Sequence, residues 1–124
     1  MPGKQQLASF VRATFRSVWS LELLLHLRSH RDRAWAPREL VAALRGSELL
    51  VARSLEALLA AGLIDMSADG DASYRPASPE LEDWMAKVEA EYARRPDAVR
   101  RAIISGAGGA DLAAFADAFR LRRD

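Results

Sequence analysis

The sequence predicts a mainly helical fold with one β-hairpin, and three observations lead to this prediction. Apolar residues recur at spacings of three and four over most of the chain, which is the period of an amphipathic helix. Ser47 and Ser78 each precede such a segment, where a serine side chain is a favourable N-cap. Two short extended stretches flank an Asp-Gly pair at residues 69–70, as is typical of a hairpin. The 124 residues are predicted to form a single domain with one core.

The first helix is predicted over residues 5–31 because an apolar stripe runs through this segment. The stripe consists of Leu7, Val11, Thr14, Val18, Leu21 and Leu25. Further apolar residues widen it until positions 18–27 are apolar nearly all round: Phe10, Phe15, Trp19, Leu23, Leu24 and Leu27. A helix of this kind must be covered on more than one side, either by its own chain or by a second subunit. We expect a homodimer built on this helix and the C-terminal helices, with Trp19, Leu23 and Leu27 in the interface.

Pro37 divides the next segment into two predicted elements. Proline favours extended backbone before it and the first turn of a helix at its own position. Ala34–Ala36 is therefore predicted to be a very short strand. Pro37–Arg45 is predicted to be a short helix with three inward residues, Leu40, Val41 and Leu44.

A third helix is predicted between two glycines. Gly46 breaks the chain, Ser47 is the predicted N-cap, and the helix is expected to run to Ala61. Gly62 is suited to a left-handed conformation at the end of this helix.

The hairpin is predicted at about residues 63–76, and more helices follow it. Ser78-Pro79-Glu80 combines a cap, a first-turn proline and an acid near the positive helix end, so a helix should begin here. Pro96 restarts the chain as a helix to about Ser105. The glycines in residues 106–109 predict a joint, followed by a last amphipathic helix with Leu112, Phe115, Phe119 and Leu121 on one side.

Charge is distributed unevenly along the chain, although the net charge is only +1. Residues 1–45 hold eight Lys/Arg against three Asp/Glu, residues 46–90 hold three against nine, and residues 91–124 hold seven against five. The absence of cysteine excludes disulfides, Cys-ligated zinc and thiol chemistry. The N-terminus lacks the apolar run of a signal peptide, and the stretch VWSLELLLHL is too short to span a bilayer. We therefore expect a cytoplasmic protein without a membrane partner.

The predicted order of helix, short strand, helix, helix and two-stranded hairpin is that of the winged helix-turn-helix. PRELVAAL at residues 37–44, SELLVARSLEALLAAGLI at 47–64 and the hairpin through YRP at 74–76 resemble the core of small bacterial transcriptional regulators of the MarR, PadR and ArsR kind. The matching inward residues of the third helix are Val51, Leu55 and Leu58, followed by Ala-Gly-Leu-Ile at 61–64.

The resemblance covers roughly residues 18–77 and leaves residues 78–124 as a C-terminal helical extension. It implies a mainly α winged helix-turn-helix domain with a two-stranded β-wing and flanking N- and C-terminal helices. It also implies a transcriptional regulator that binds double-stranded DNA as a homodimer.

The third helix is the expected DNA-reading element, but its outward face is poor in suitable side chains. With the inward residues facing the core, that face carries Leu49, Ala52, Arg53, Glu56, Ala57 and Ala60, and Glu48 and Leu50 lie at its edges. Base edges are read mainly by Arg, Lys, Asn, Gln, Ser or Thr, and Arg53 alone qualifies on this face. The candidates for DNA contact are Ser47, Arg53, Arg75 and Arg38. Several acids would meet phosphate with the wrong sign: Glu48, Glu56, Asp65, Asp69 and Asp71.

A second interpretation makes the same helix a surface for another protein. Leu49, Leu50, Ala52 and Ala57 would form an apolar patch with few charges, as the centres of protein interfaces often do. The protein would then be a winged-helix adaptor with little or no DNA binding. A third interpretation is that the two leucines merely pack against the hairpin or the last helix. The residues leave all three open.

No catalytic function or cofactor is predicted from the sequence. It contains no Gly-rich phosphate loop, no nucleophile elbow and no spacing that supports a Ser-His-Asp set. Glu22, His26 and His30 are spaced by four on one helical face, which can suit a divalent metal. No second cluster supplies the remaining ligands, so we expect these histidines to be solvated or capping and predict no metal site.

Overall fold

The computed structural model describes residues 4–104, and it confirms a mainly helical fold with one two-stranded antiparallel sheet. The elements are α1 Lys4–Thr14, α2 Val18–Ser29, α3 Pro37–Leu44, α4 Glu48–Ala60, β1 Ile64–Met66, β2 Ala72–Tyr74, α5 Pro79–Arg94 and α6 at residues 96–104. Their order is compatible with a winged-helix arrangement. In this part of the chain, no helix has the length and apolar character to cross a membrane. The predicted glycine joint and last helix lie outside the described residues.

The prediction of one helix over residues 5–31 is wrong, because the chain breaks between α1 and α2. Ser17 is extended (φ −154°, ψ 158°), and its Oγ accepts a hydrogen bond from the Ser20 amide at 3.1 Å. The Ser17 amide in turn donates to Ser20 Oγ at 3.3 Å, which completes a capping box. The apolar periodicity continues across this break, so periodicity alone did not reveal it.

The apolar helix α2 is covered by its own chain. Leu21, Leu23, Leu24 and Leu27 are fully buried in the core, and α2 packs against α4 and β2. The prediction that Leu23 and Leu27 lie in a dimer interface is therefore wrong, because neither exposes surface to a partner.

Trp19, the third residue predicted for that interface, is half-buried and packs against Gly46 in the turn before α4. A Cβ atom at Gly46 would lie 3.1 Å from Trp19 Cη2 and closer still to Cζ2. Gly46 therefore provides the space for this indole. The left-handed backbone in the turn belongs instead to Arg45 (φ 54°).

The hairpin follows α4 as predicted. Gly62 is left-handed (φ 78°) at the end of the helix, and β1 then pairs with β2 so that Ile64 lies opposite Tyr74. Gly70, at φ 86°, lies in the turn. Trp35 exchanges two backbone hydrogen bonds with Ala72, at 2.7 and 2.8 Å. This bridge confirms extended structure before α3 and ties that segment to the hairpin.

Candidate functional site

The helix α4 presents one buried and one exposed face, as its residue pattern predicts. Ser47 caps it by accepting a hydrogen bond from the Leu50 amide at 3.1 Å. Val51, Leu55 and Leu58 are buried in the core, as predicted. The exposed residues are Glu48, Leu49, Ala52, Arg53, Glu56, Leu59 and Ala60.

The two leucines at the start of α4 differ in exposure. Leu49 is 60 % exposed, so it does not pack against the hairpin. The last helix, its other predicted cover, lies outside the described residues. Leu50 is half-buried, and so is Ala57, whereas Ala52 is exposed. Leu59 is 45 % exposed and was not predicted as part of this surface. Of the four residues predicted for an apolar patch, Leu49 and Ala52 are therefore exposed, and Leu50 and Ala57 present only part of their side chains.

The four candidates for DNA contact differ in their freedom to bind. Arg38 and Arg53 are exposed and form no ion pair or hydrogen bond with any described residue. The side chain of Arg75 is 77 % exposed, although its Nη1 lies 3.9 Å from Asp65 Oδ2. Ser47 is exposed, but its hydroxyl oxygen already caps α4.

The candidates for DNA contact do not form one site, because Arg38 and Arg53 line two different grooves. One, which we call the α3–hairpin groove, has a volume of about 540 Å³ and brings Arg38 together with Glu48, Asp69 and Asp71. Arg75 follows β2 at the end of the hairpin away from its turn, beside Asp65. The basic candidates at the hairpin and α3 thus have acidic neighbours, as the charge distribution indicated.

The other groove lies between the start of α2 and the face of α4, and we call it the α2–α4 groove. It has a volume of about 530 Å³, and Arg53 lines it together with Arg16. The rest of its lining consists of Ser17, Ser20, Leu50, Ser54, Glu56, Ala57 and Ala60. The sequence analysis did not identify Arg16 or Ser54 as site residues. Recognition of the Ser17–Ser20 capping box would have placed Arg16 at the break before α2.

Arg28, one of the basic residues that follow the apolar stretch, is not available to a ligand. It is 7 % exposed, and its Nη1 donates to both carboxylate oxygens of Glu82 at 2.9 Å and to Tyr74 Oη at 3.0 Å. Tyr74 Oη donates to Glu82 Oε1 at 2.6 Å. Arg28 Nε lies 3.4 Å from Glu89 Oε1, within ion-pair distance but without hydrogen-bond geometry. These contacts connect α2, β2 and α5.

The electrostatics of this network favour its charged form. Burial acts to raise the pKa of the Glu82 carboxyl, but hydrogen bonds from Tyr74 and Arg28 outweigh it and hold that pKa below its ordinary value. Burial and the hydrogen bond to Glu82 raise the pKa of Tyr74, so its phenol stays protonated and donates. The network is thus a fixed link between the hairpin and the helices.

The helical face with Glu22, His26 and His30 is occupied by contacts within the protein. Tyr92 Oη donates to Glu22 Oε2 at 2.8 Å, and the rings of the two histidines lie 4.5 Å apart beside Trp35. Burial, followed by the charges of His30 and Arg33, lowers the pKa of His26. In residues 4–104 no group of three His, Asp or Glu side chains is arranged to hold a metal ion.

Comparison with protein-family models, with curated proteins and with solved structures gives no match for this chain.

Proposed function

We propose that the protein is a winged-helix transcriptional regulator that binds double-stranded DNA, with α4 as the recognition helix and the hairpin as the wing. The order of α2, the Trp35 bridge, α3, α4 and the hairpin supports this proposal, together with the residues of α3 and α4 that resemble such regulators.

The observation that carries the proposal is a set of arginines around α4 that lack intramolecular partners. In the described chain, four arginines of the segments around α4 form neither an ion pair nor a hydrogen bond: Arg16, Arg38, Arg45 and Arg53. Other arginines are engaged, such as Arg33, whose Nη2 donates to Glu39 Oε1 at 2.6 Å. An arginine without a carboxylate partner binds a phosphate without first losing an ion pair.

The composition of the α4 face predicts binding that depends mainly on phosphates. Among the exposed side chains of α4, Arg53 can donate to a guanine edge. The protein should therefore discriminate little between DNA sequences. If four arginines each neutralise one phosphate, log K should fall with log salt with a slope of about −3 to −4 per bound chain. The acids of the wing oppose binding, so the affinity should be appreciable only at low salt.

The proposal retains a homodimer, as the resemblance implies, with an interface that excludes Leu23 and Leu27. Sedimentation equilibrium of the full chain tests this part. A monomer at tens of micromolar protein would contradict the dimer without affecting DNA binding by one chain.

Fluorescence anisotropy with a random-sequence duplex at low salt tests DNA binding. Arg53→Gln should weaken binding by roughly 1–3 kcal/mol and make the salt slope shallower by about one. The matched control is Arg94→Gln, because Arg94 is also exposed and unpaired among the described residues but lies on α5, which packs against α1. An equal loss in both variants, or no binding by the wild type, would contradict the proposal.

A second candidate function is a winged-helix adaptor, favoured by the exposed leucines of α4. Leu49 and Leu59 are 60 % and 45 % exposed, and the wing nearby carries Asp65, Asp69 and Asp71. An apolar centre with acidic surroundings repels nucleic acid and favours a basic protein partner. The variant Leu49→Arg distinguishes the two functions. If the protein is a regulator, the added positive charge should strengthen its binding to the duplex. If the protein is an adaptor, neither the variant nor the wild type should bind the duplex.

A further inference from the structure

His26 has a ring nitrogen that is buried without a hydrogen-bond partner. The residue is half-buried, and its Nε2 is covered by protein atoms but bonded to no described residue. Buried polar atoms in folded proteins are normally hydrogen-bonded, so a nitrogen of this kind is unusual. The His26 ring lies against two others, with centroid distances of 4.5 Å to His30 and 4.6 Å to Trp35.

Trp35 connects this ring cluster to the hairpin. Its Nε1 donates to the His30 carbonyl oxygen at 3.4 Å, and Arg33 Cζ lies 3.9 Å from the centroid of the indole. Its backbone exchanges two hydrogen bonds with Ala72, the first residue of β2. The segment before α3 is therefore held to the hairpin by a residue whose side chain packs on His26 and His30.

The surroundings of His26 do not balance a positive charge on its ring. Among the described residues neither His26 nor His30 forms an ion pair. Burial of the ring, followed by the charges of His30 and Arg33, lowers the pKa of His26. The acids on the surrounding elements have other partners: Glu39 of α3 accepts from Arg33 and from the Ala36 amide, Glu22 of α2 accepts from Tyr92 of α5, and Asp71 of the hairpin lines the α3–hairpin groove with Arg38.

We propose that His26 is a pH-sensitive switch, which holds Trp35 in place while its imidazole is neutral and releases it when the imidazole is protonated. An imidazolium carries a proton on both ring nitrogens, and a buried N–H without an acceptor is unfavourable. Rotation of the ring into solvent satisfies the new donor but removes one wall of the Trp35 indole. Acidification should therefore weaken the bridge to Ala72 and release the segment before α3 from the hairpin.

The pH range of the switch follows from the direction of the pKa shift. The packed form of His26 binds its proton less tightly than the released form, whose pKa is the ordinary value of about 6.5. The released population should therefore rise as pH falls through about 6.5 and level off below the pKa of the packed form.

Amide hydrogen exchange of the full chain, followed by NMR between about pH 7.5 and pH 5.5, tests the proposal. After correction for intrinsic exchange, protection of the Trp35 and Ala72 amides should fall about fivefold over this range. Both amides should also be less protected than that of Leu55, which is buried in the middle of α4, because the bridge opens locally. Equal protection at all three would mean that the bridge opens only with the whole chain, and would overturn the proposal.

Variants show which histidine responds to pH. His26→Phe keeps a ring against Trp35 that cannot be protonated, so the fall in protection should shrink to less than about twofold. The matched control is His30→Phe, which removes the neighbouring imidazole and should retain the fall because His26 still titrates. An undiminished fall in His26→Phe, or its loss in His30→Phe, would overturn the role of His26.

The His26 ring of the wild type gives a measurement that depends on no variant. Its Cε1 proton should titrate with a midpoint below the ordinary histidine value. A midpoint above that value would mean that the Trp35 indole retains the imidazolium through a cation–π contact, and would overturn release on protonation. All of these measurements use the protein without DNA, so their outcome is independent of the proposed function.

Discussion

Replacing Glu82 with alanine should destabilise the protein by about 2–3 kcal/mol, because Glu82 neutralises a buried arginine. The Arg28 side chain is 8 % exposed, and both Glu82 carboxylate oxygens accept from its Nη1 at 2.9 Å. Removing one partner of a buried ion pair costs about 3–5 kcal/mol. We place the expected loss below that range because the Glu82 side chain is 37 % exposed and Glu89 remains 3.4 Å from Arg28 Nε.

Urea unfolding followed by circular dichroism at neutral pH measures this loss. The control is Glu80→Ala, which removes an exposed carboxylate from the same helical turn and should cost less than about 1 kcal/mol. Tyr74→Phe removes one hydroxyl from the network and should cost about 1 kcal/mol. If Glu82→Ala costs no more than Glu80→Ala, the network does not stabilise the attachment of the hairpin, and the reasoning fails.

The same carboxylate should make stability depend on pH. The pKa of Glu82 is lowered in the folded state, so its contribution is present above the pKa of an unfolded glutamate and is lost as pH falls through the folded value. The difference in unfolding free energy between wild type and Glu82→Gln should be constant above about pH 5 and shrink below about pH 4. A difference that stays constant down to acid-induced unfolding would contradict the assignment.

Three further predictions concern packing and capping. Leu23→Glu should unfold the chain instead of separating a dimer, since Leu23 is fully buried. The control Leu49→Glu should remain folded by circular dichroism, because Leu49 is exposed. A folded Leu23→Glu monomer would contradict this prediction. Gly46→Ala should cost about 1–3 kcal/mol in urea unfolding because the added Cβ overlaps Trp19, and the cost should shrink in a Trp19→Leu background. An undiminished cost there would exclude the overlap as its cause. Ser47→Ala should cost about 1 kcal/mol through loss of the α4 cap, and an unchanged urea midpoint would refute that role.

Several positions where the chain turns or begins a helix were predicted from the sequence, although the start of α2 at Ser17 was not. Ser47 caps α4, Gly62 ends it in a left-handed conformation, and the Asp-Gly pair lies in the hairpin turn, as predicted. The helical period also placed Leu49 and Arg53 on the outward face of α4, but it did not decide whether Leu49 is covered. These features depend on the few residues around each position, through local hydrogen bonds and allowed backbone angles.

Only the tertiary structure decided which elements pack against each helix face. The apolar pattern of α2 predicted that this helix would be covered on more than one side, but not that α4 and β2 of the same chain would pack against it. Arg28 is buried because residues far along the chain supply its acceptors, and the α2–α4 groove joins Arg16 to Arg53 and Ser54 across a similar separation. Periodicity reports that a face is covered, whereas long-range packing determines what covers it and which charges come together.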